Sequence, residues 1–314
     1  MHRTCPHGID ALSNVTIGAY GTLEGVAIQC LTDLPMTFEL YTIHHKRDAQ
    51  LPTFKRQFIP MQVGCATSDL DLGIRRDDQH GTLSARNANF CELTGFDEVA
   101  RSSTADYVGF MHYRRMFTAP RPDPLMLRQT HIALRRLSRW LRGKPQRTFR
   151  HKRVAIPDLT VLNREAATLN RHLTRIEGRY DILTPYPFIY QDMSQRDEYA
   201  GGQNPAYFDM FMDRLGKLHP ELAPFINTTA RPHTCYYGNI FIMRRDLFLR
   251  YWDILLSTLL DIAPDVPVEQ MTFQEGRVFG YLAERFLANF IDYVSATQNI
   301  RHRMLNVVKC DFDA

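Results

Sequence analysis

The sequence predicts an α/β fold in which helices flank a mostly parallel central sheet. Two observations support this prediction. Segments with strand and helix patterns alternate along most of the chain, and the strand candidates are continuous apolar runs, as in sheets covered on both faces. With 314 residues and 44% hydrophobic side chains, the chain is long enough to bury such a core.

Each predicted element has its own local signal. The strand candidates are short apolar runs. They are FELYTI (38–43), FIPMQVG (58–64), ADYVGFM (105–111), YDILTP (180–185) and NIFIM (239–243). The helix candidates are longer, with apolar residues recurring at helical spacing. They are 85–100, 127–143, 164–178, 204–218, 245–263 and 275–294, and Gly178 closes the third of them.

Cationic groups follow two of the strand candidates. His44, His45 and Lys46 come after the first strand, and the stretch 112–115, HYRR, comes after the third. In open α/β sheets, ligands bind outside the carboxyl ends of the strands. Because arginine offers a bidentate fork and lysine a point charge, these strand ends predict a ligand that carries phosphate.

The charge of the chain is concentrated in one segment. The net charge is +4, but residues 121–153 hold eleven Lys or Arg against one acid, so this segment is +10 and the remainder is −6. We interpret it as a basic helical insertion with an anionic partner. A helix lying on anionic lipid and a core-packed helix with solvated arginines are both compatible with the pattern. Nucleic acid is less favoured, because aromatic residues are sparse here and no nucleic-acid motif occurs.

The remaining features narrow the class of protein. We predict that residues 1–35 form an appendage of short strand-like pieces and that residues 36–314 form the main domain.

The chain shows neither a secretory signal nor an apolar run long enough to span a bilayer. We therefore expect a cytoplasmic protein, with the basic segment placing it on the inner face of the membrane. The six cysteines form no C-x-x-C pair, which argues against zinc.

Several stretches together resemble a bacterial family of capsular-polysaccharide biosynthesis glycosyltransferases. This family is catalogued as a domain of unknown function and includes galactofuranosyltransferase-type enzymes. The matching stretches are IHHK, PMQVG, Asp77 with SARNANFCELT, DYVGFMHYRRMF, YDILTP, NIFIM and RVFGYLAERFL, in order over about residues 38–290. The resemblance implies a GT-A-like nucleotide-sugar transferase fold. The chain departs from the family at GFDEVARSS, at QDMSQRDEYAGGQNPAYF and at HTCYYGN, and the second of these stretches would face the acceptor.

The resemblance and the charges together predict a donor site. Transfer from a nucleotide diphosphate sugar requires stabilisation of charge on the leaving diphosphate. We expect Arg114 or Arg115, with His112 and Lys46, to hold the diphosphate directly in place of a metal. The other predicted donor-binding residues are His45, Asp77, Asn87 and Asp106. A surface ion pair for Asp77, and helix capping for Asn87, are the structural alternatives.

No metal cofactor is favoured. An Asp-x-Asp occurs at Asp69 and Asp71, but it follows MQVG in a predicted loop and matches no family position, although its oxygen ligands would suit Mg²⁺.

Inverting transfer also requires a carboxylate that accepts the proton of the acceptor hydroxyl. Glu284 is the first candidate because it matches the family motif, and Asp192 is a second, with Asp197 and Glu198 in reserve. A structural ion pair with a neighbouring arginine is the alternative for Glu284. Acceptor-binding or supporting roles are expected for His233, Asn239 and Arg277.

The sequence thus predicts a metal-independent, inverting glycosyltransferase. It would move a hexosyl group, with galactofuranosyl as one candidate, from a UDP-sugar to a surface glycan or a lipid-linked glycan. The alternative is a non-catalytic protein that binds a membrane surface or nucleic acid through residues 121–153. The donor sugar, linkage, stereochemical course, catalytic base and oligomeric state are not determined by the sequence.

Overall fold

The structure is a computed structural model that describes residues 36–46, 58–119, 155–156, 159–226 and 229–310. All the elements below belong to one compact unit that begins at Thr37. The predicted appendage 1–35 and the basic segment 121–153, with its predicted helix, lie outside the described residues.

Strands and helices alternate as the sequence predicts. The strands are β1 Phe38–His44, β2 Phe58–Gln62, β3 Arg75–Arg76, β4 Tyr107–His112, β5 Arg115–Thr118, β6 Ala155–Ile156, β7 Ile182–Pro185, β8 Phe188–Tyr190, β9 His233–Cys235, β10 Phe241–Arg244 and β11 His302–Cys310. The α-helices are α1 Asn87–Phe90, α2 Leu93–Ser102, α3 Leu159–Arg175, α4 Gln195–Ala200, α5 Pro205–Leu218, α6 Arg245–Ile262 and α7 Val278–Gln298. Short 3₁₀ turns connect several of them.

The central sheet is mixed. Strands β3, β2, β1 and β4 are parallel neighbours, in that order. Beyond β4 the pairings change, because β10 runs antiparallel to both β4 and β7, and β11 runs parallel to β7 and antiparallel to β5. Strand β5 returns to β4 through the pair His112 and Arg115, so β4, β10, β7, β11 and β5 close a small barrel.

The prediction of a mostly parallel sheet is therefore wrong for this half of the sheet. An apolar run reports burial on both faces, not strand direction, and Phe241–Met243 of β10 are buried although the strand is antiparallel. Strand β5 follows β4 after two residues, which permits only an antiparallel return.

The core lies on the two faces of the sheet and alternates with the pleat. On β4, Val108 and Phe110 face the layer that includes α2, α6 and α7, whereas Tyr107 and Met111 face the layer that includes α3. Gly109 sits between them because a Cβ there would lie 2.7 Å from side chains of two neighbouring strands. Close packing across β1, β4 and β10 therefore requires glycine at this position.

The longest helix, α7, supplies much of this core. It has 21 residues, and most of them from Val278 to Val294 are buried. None of the described helices is both long enough and apolar enough to cross a membrane.

Candidate active site

The parallel pairing of β1 with β4 brings their carboxyl ends together. Ile43 lies opposite His112, so His44, His45 and Lys46 emerge beside residues 112–115. Residues 113 and 114 form the tight turn between β4 and β5, which reverses the chain at the carboxyl end of β4. The convergence of the two cationic strand ends that the sequence predicts is thus present.

Tyr113 is the packing centre of this edge. Its buried ring lies 5.8 Å from Lys46 Nζ and 5.1 Å from the Arg114 guanidinium carbon, and the rings of His45 and His112 pack at 5.3 Å and 4.3 Å from it. Contact with an aromatic face stabilises a cation. Tyr113 therefore lies close to two groups of like charge.

A further arginine joins this surface from α7. Arg277 precedes the first residue of the helix, and its Nε donates a hydrogen bond to Cys91 Sγ at 3.3 Å. Desolvation, followed by the charges of Lys46, Arg277 and Arg114, lowers the pKa of His45. Lys46, Arg114, Arg115 and Arg277 are called the cation cluster below. Such a cluster suits an anion with several charges.

His112 is neutral within this cluster. Burial, followed by the charge of Arg115, lowers its pKa to about 3. Its Nδ1 accepts a hydrogen bond from the backbone N–H of Arg114 at 3.1 Å. The neutral ring therefore carries its proton on Nε2, where it is able to donate to a ligand.

Asn87 acts on the cation cluster through Cys91. The backbone of Cys91 has φ 54°, a conformation that side chains other than glycine rarely adopt. The Asn87 amide donates to the Cys91 carbonyl at 2.6 Å and to Thr94 Oγ1 at 3.0 Å. Asn87 thus fixes the residue on which Arg277 rests.

Glu284, on α7, is buried and bonded on both carboxylate oxygens. Its Oε1 accepts from the backbone N–H of Gly238 at 2.5 Å, and its Oε2 accepts from Arg285 Nη1 at 2.9 Å. Burial raises the pKa of Glu284 to about 7, with a contribution from the nearby Glu92. A Cβ added to Gly238 would lie 2.9 Å from Arg115 Nη1, so the cation cluster reaches the turn that holds Glu284.

Asn239 links Glu92 to helix α7. It is almost fully buried, and its Nδ2 donates to Glu92 Oε1 at 2.7 Å and to the Gly280 carbonyl at 3.2 Å. Its φ of 48° lies in the left-handed region that asparagine tolerates better than most residues. This position fits the supporting role predicted for Asn239.

His233 and Asp192 belong to a neighbouring region around the small β8–β9 sheet. The His233 ring stacks on Tyr190 at 4.8 Å, and its Nδ1 donates to the Met193 carbonyl at 2.6 Å. Asp192 is exposed in the turn after β8. In this arrangement His233 supports the β8–α4 connection.

Two predicted donor residues lie in different surroundings from those expected. Asp106 precedes β4 and accepts from the backbone N–H and the hydroxyl of Thr37, at 2.8 Å and 2.9 Å. It therefore lies at the opposite end of β4 from His112, about 20 Å away at the rise of an extended strand. Asp106 fastens the starts of β1 and β4 and is not part of the candidate site.

Asp77 is fully buried. Its carboxylate accepts from the backbone N–H groups of Gly64 and Cys65, at 2.8 Å and 3.1 Å, and from Ser84 Oγ at 2.6 Å. Neither a surface ion pair nor a direct ligand contact describes this environment. Asp77 instead positions the loop that follows β2.

The Asp-x-Asp stretch lies on the surface of that same loop. Asp69 and Asp71 are both exposed, and Asp71 Oδ1 accepts from the backbone N–H of Gly73 at 2.8 Å in a local turn.

Sequence reasoning missed a buried network beside Glu284. Arg285 is 5% exposed, and both oxygens of Glu198 accept from its guanidinium at 2.8 Å. The Tyr237 hydroxyl donates to Glu198 Oε1 at 2.5 Å. The Arg285 guanidinium also packs on the rings of Tyr199, Tyr237 and Tyr281 at 5.3–5.8 Å. The sequence signals were the adjacency of Arg285 to Glu284 and the presence of Glu198 among the reserve base candidates.

This network borders a cavity of about 330 Å³. The lining includes Tyr190, Tyr199, Tyr281, Glu198, Arg285 and Gly202. These residues come from β8, α4, α7 and the connection between α4 and α5, so only the folded chain brings them together.

The family assignment follows from the sequence as a whole. Residues 39–295 match the family described as a domain of unknown function, DUF4422. The chain belongs to the DUF4422 family. None of the curated proteins compared with this DUF4422 chain matches it.

A solved structure resembles the fold of this chain. The DUF4422 chain is similar to the structure titled as the apo form of WbbM, a bifunctional glycosyltransferase, with a TM-score of 0.71 and 26% identity. The match covers 88% of this chain and 45% of that one, so the chain spans less than half the length of WbbM. The prediction of a glycosyltransferase-like family and fold is confirmed at this level, and the similarity supports a transferase role.

Proposed function

We propose that this DUF4422 chain is a hexosyltransferase that uses a UDP-sugar donor, with galactofuranosyl as one candidate group, and extends a surface polysaccharide. The reaction would proceed with inversion and without a metal, on a GT-A-like fold. The observation that carries this proposal is the position of the cation cluster, which reaches the turn that holds a buried carboxyl group whose pKa is raised to about 7.

The cation cluster suits a diphosphate leaving group. As the bond between the anomeric carbon and the phosphate oxygen breaks, negative charge grows on the diphosphate, and fixed cations stabilise that charge. Lys46 and Arg114 are held on the Tyr113 ring, and Arg277 is held on Cys91. The Nε2–H of neutral His112 would add a hydrogen bond without adding charge.

Glu284 suits the role of general base. A base works best when its pKa lies near the working pH, and burial has moved this carboxyl group into that range. Its oxygens accept from Gly238 and Arg285, and each oxygen has a second lone pair for the proton of an acceptor hydroxyl. In the reaction, the acceptor oxygen would bond to the anomeric carbon, the diphosphate would leave, and Glu284 would take the proton.

The remaining predicted residues would support this chemistry. Asp77 would shape the loop after β2 for the nucleotide, and Asn87 would keep Cys91 in place beneath Arg277. Residues 36–314 would form the transferase domain, and the +10 segment 121–153 would place it against an anionic membrane surface near a lipid-linked acceptor.

The test is binding of a panel of nucleotides and nucleotide sugars to the full chain by calorimetry, with EDTA and with added Mg²⁺ or Mn²⁺. We expect UDP-sugar binding that is insensitive to EDTA. A strict metal requirement would overturn the metal-independent mechanism and redirect attention to Asp69 and Asp71. Absence of nucleotide binding would overturn the transferase proposal in favour of a binding protein that acts through the basic segment.

A further inference from the structure

We infer that the cavity beside Arg285 is the subsite for a neutral sugar unit of the acceptor. This inference rests on the proposed function, because it assigns the second substrate of the same reaction. The cavity of about 330 Å³ is at the lower end of the range of about 300–1,000 Å³ that is typical of small-molecule sites.

The composition of the cavity wall suits a sugar. The partly exposed rings of Tyr190 and Tyr281 offer apolar surface, and Gln203 and Gln274 add amide groups. Gln203 Nε2 donates to the Gln274 carbonyl at 3.0 Å, which ties the α4–α5 connection to the loop before α7. Mostly apolar walls with a few fixed polar groups are typical of small-molecule sites.

A buried hydroxyl group points to a ligand here. Tyr199 is 1% exposed and lines the cavity, yet its hydroxyl has no hydrogen-bond partner among the described residues. Buried polar groups in native proteins are nearly always paired. The hydroxyl is not accessible from the cavity in this arrangement, so a sugar hydroxyl would become its partner after a small shift of the Tyr199 ring.

The charges of the cavity favour a neutral occupant. Glu198 and Arg285 neutralise each other in a buried ion pair at 2.8 Å, with the Tyr237 hydroxyl on the same carboxylate. The wall therefore presents no excess charge to a ligand. The cation cluster, by contrast, is suited to phosphate.

The position of the cavity fits the reaction. Arg285 lines the cavity and also donates to Glu284 Oε2 at 2.9 Å, whereas Glu284 Oε1 is bound by the Gly238 turn, which Arg115 approaches. Glu284 thus connects the cavity with the cation cluster. A sugar in the cavity and a diphosphate at the cluster would meet at this carboxylate.

The experiment fills the cavity without altering the cation cluster. Gly202 lines the cavity, and a Cβ added there meets no atom within 4 Å, so Gly202→Phe introduces bulk into open space. Tyr199→Phe removes the unpartnered hydroxyl alone. Lys217→Phe is the matched control, because it adds the same ring at a side chain that is 68% exposed on α5.

Two readouts are taken on the full chain. Binding of methyl hexopyranosides and methyl hexofuranosides is followed by saturation-transfer NMR, and UDP binding is followed by calorimetry. We expect Gly202→Phe to weaken sugar binding about tenfold or more, and Tyr199→Phe about two- to tenfold. UDP affinity should stay unchanged in both, and Lys217→Phe should match the wild type.

The outcomes separate the two proposals. If the wild type binds UDP-sugars but binds neutral sugars no better than Gly202→Phe, or not at all, the subsite is wrong and the proposed function stands. If Gly202→Phe loses UDP binding, the cavity holds the nucleotide, which also overturns the subsite. If sugars bind in the cavity but the wild type binds no nucleotide sugar, the acceptor role falls together with the proposed function.

Discussion

Glu284 Oε1 accepts a hydrogen bond from the backbone N–H of Gly238 at 2.5 Å, which fixes a carboxylate of α7 against the turn before β10. Gly238 has φ 85°, a conformation that favours glycine, and a Cβ added there would lie 2.9 Å from Arg115 Nη1. This turn therefore connects the base candidate with the cation cluster.

Replacing the proposed base should stop turnover and spare donor binding. Glu284→Gln keeps the side-chain shape and the hydrogen bond from Gly238, but it cannot take a proton at neutral pH. We expect kcat to fall about 10²- to 10⁴-fold, with UDP-sugar affinity within about twofold of the wild type. Steady-state kinetics and calorimetry check this, with the exposed Glu275→Gln as the control. Turnover close to that of the wild type would remove Glu284 from the reaction.

The pH dependence of the rate should identify the same group. Because burial raises the pKa of Glu284 to about 7, kcat should fall about tenfold for each pH unit below that value. Burial lowers the pKa of His112 to about 3 and that of His44 to about 4, so neither ring titrates in this range. An acid limb that persists in Glu284→Gln would assign the titration to another group.

Stability should report the same titration with a defined sign. The folded-state pKa of Glu284 lies above its ordinary value of 4.5, so the native state binds the proton more tightly than the unfolded chain. The group favours folding at low pH, and this contribution is lost as pH rises from about 4.5 to about 7. Urea denaturation should show that Glu284→Gln gains stability relative to the wild type as pH rises through this window. A constant difference between the two proteins would contradict the raised pKa.

Removing one cation should weaken donor binding. Arg114→Ala deletes a guanidinium held 5.1 Å from the Tyr113 ring. Charge-assisted hydrogen bonds contribute about 1.5–3 kcal/mol, so UDP affinity should fall about 10- to 100-fold, and less at high salt. Arg196→Ala is the control, since this arginine pairs with Asp209 on the surface. An unchanged UDP affinity in Arg114→Ala would sink the diphosphate role.

The sequence made the cationic edge predictable because strand ends are local signals. The apolar runs of β1 and β4 end at His44 and His112, and parallel pairing brings such ends together without further information. The barrel was not predictable in the same way, since the burial of β10 is the same whichever direction the strand runs. The network of Glu198, Tyr237 and Arg285 was also out of reach, because its members come from elements far apart in the sequence.

Asp106 shows a different limit. It belongs to the same DYVGFMHYRRMF stretch as His112, but the length of β4 separates the two residues. Adjacency in a motif indicates proximity in space only within a turn or a helix. Asp77 shows a related limit, because its burial beneath the loop after β2 follows from contacts with Gly64 and Ser84 that no local pattern encodes.

Three aspartates should therefore separate structural from donor-binding roles. Asp77→Asn replaces a buried carboxylate that accepts three hydrogen bonds, so the free energy of unfolding should fall by about 2 kcal/mol or more. The exposed Asp71→Asn should change it by about 0.5 kcal/mol at most. Asp106→Asn should leave UDP affinity unchanged, because Asp106 lies at the far end of β4. Urea denaturation and UDP calorimetry on the three variants test this together. If Asp106→Asn lost UDP affinity without losing stability, Asp106 would take part in donor binding despite its distance from His112.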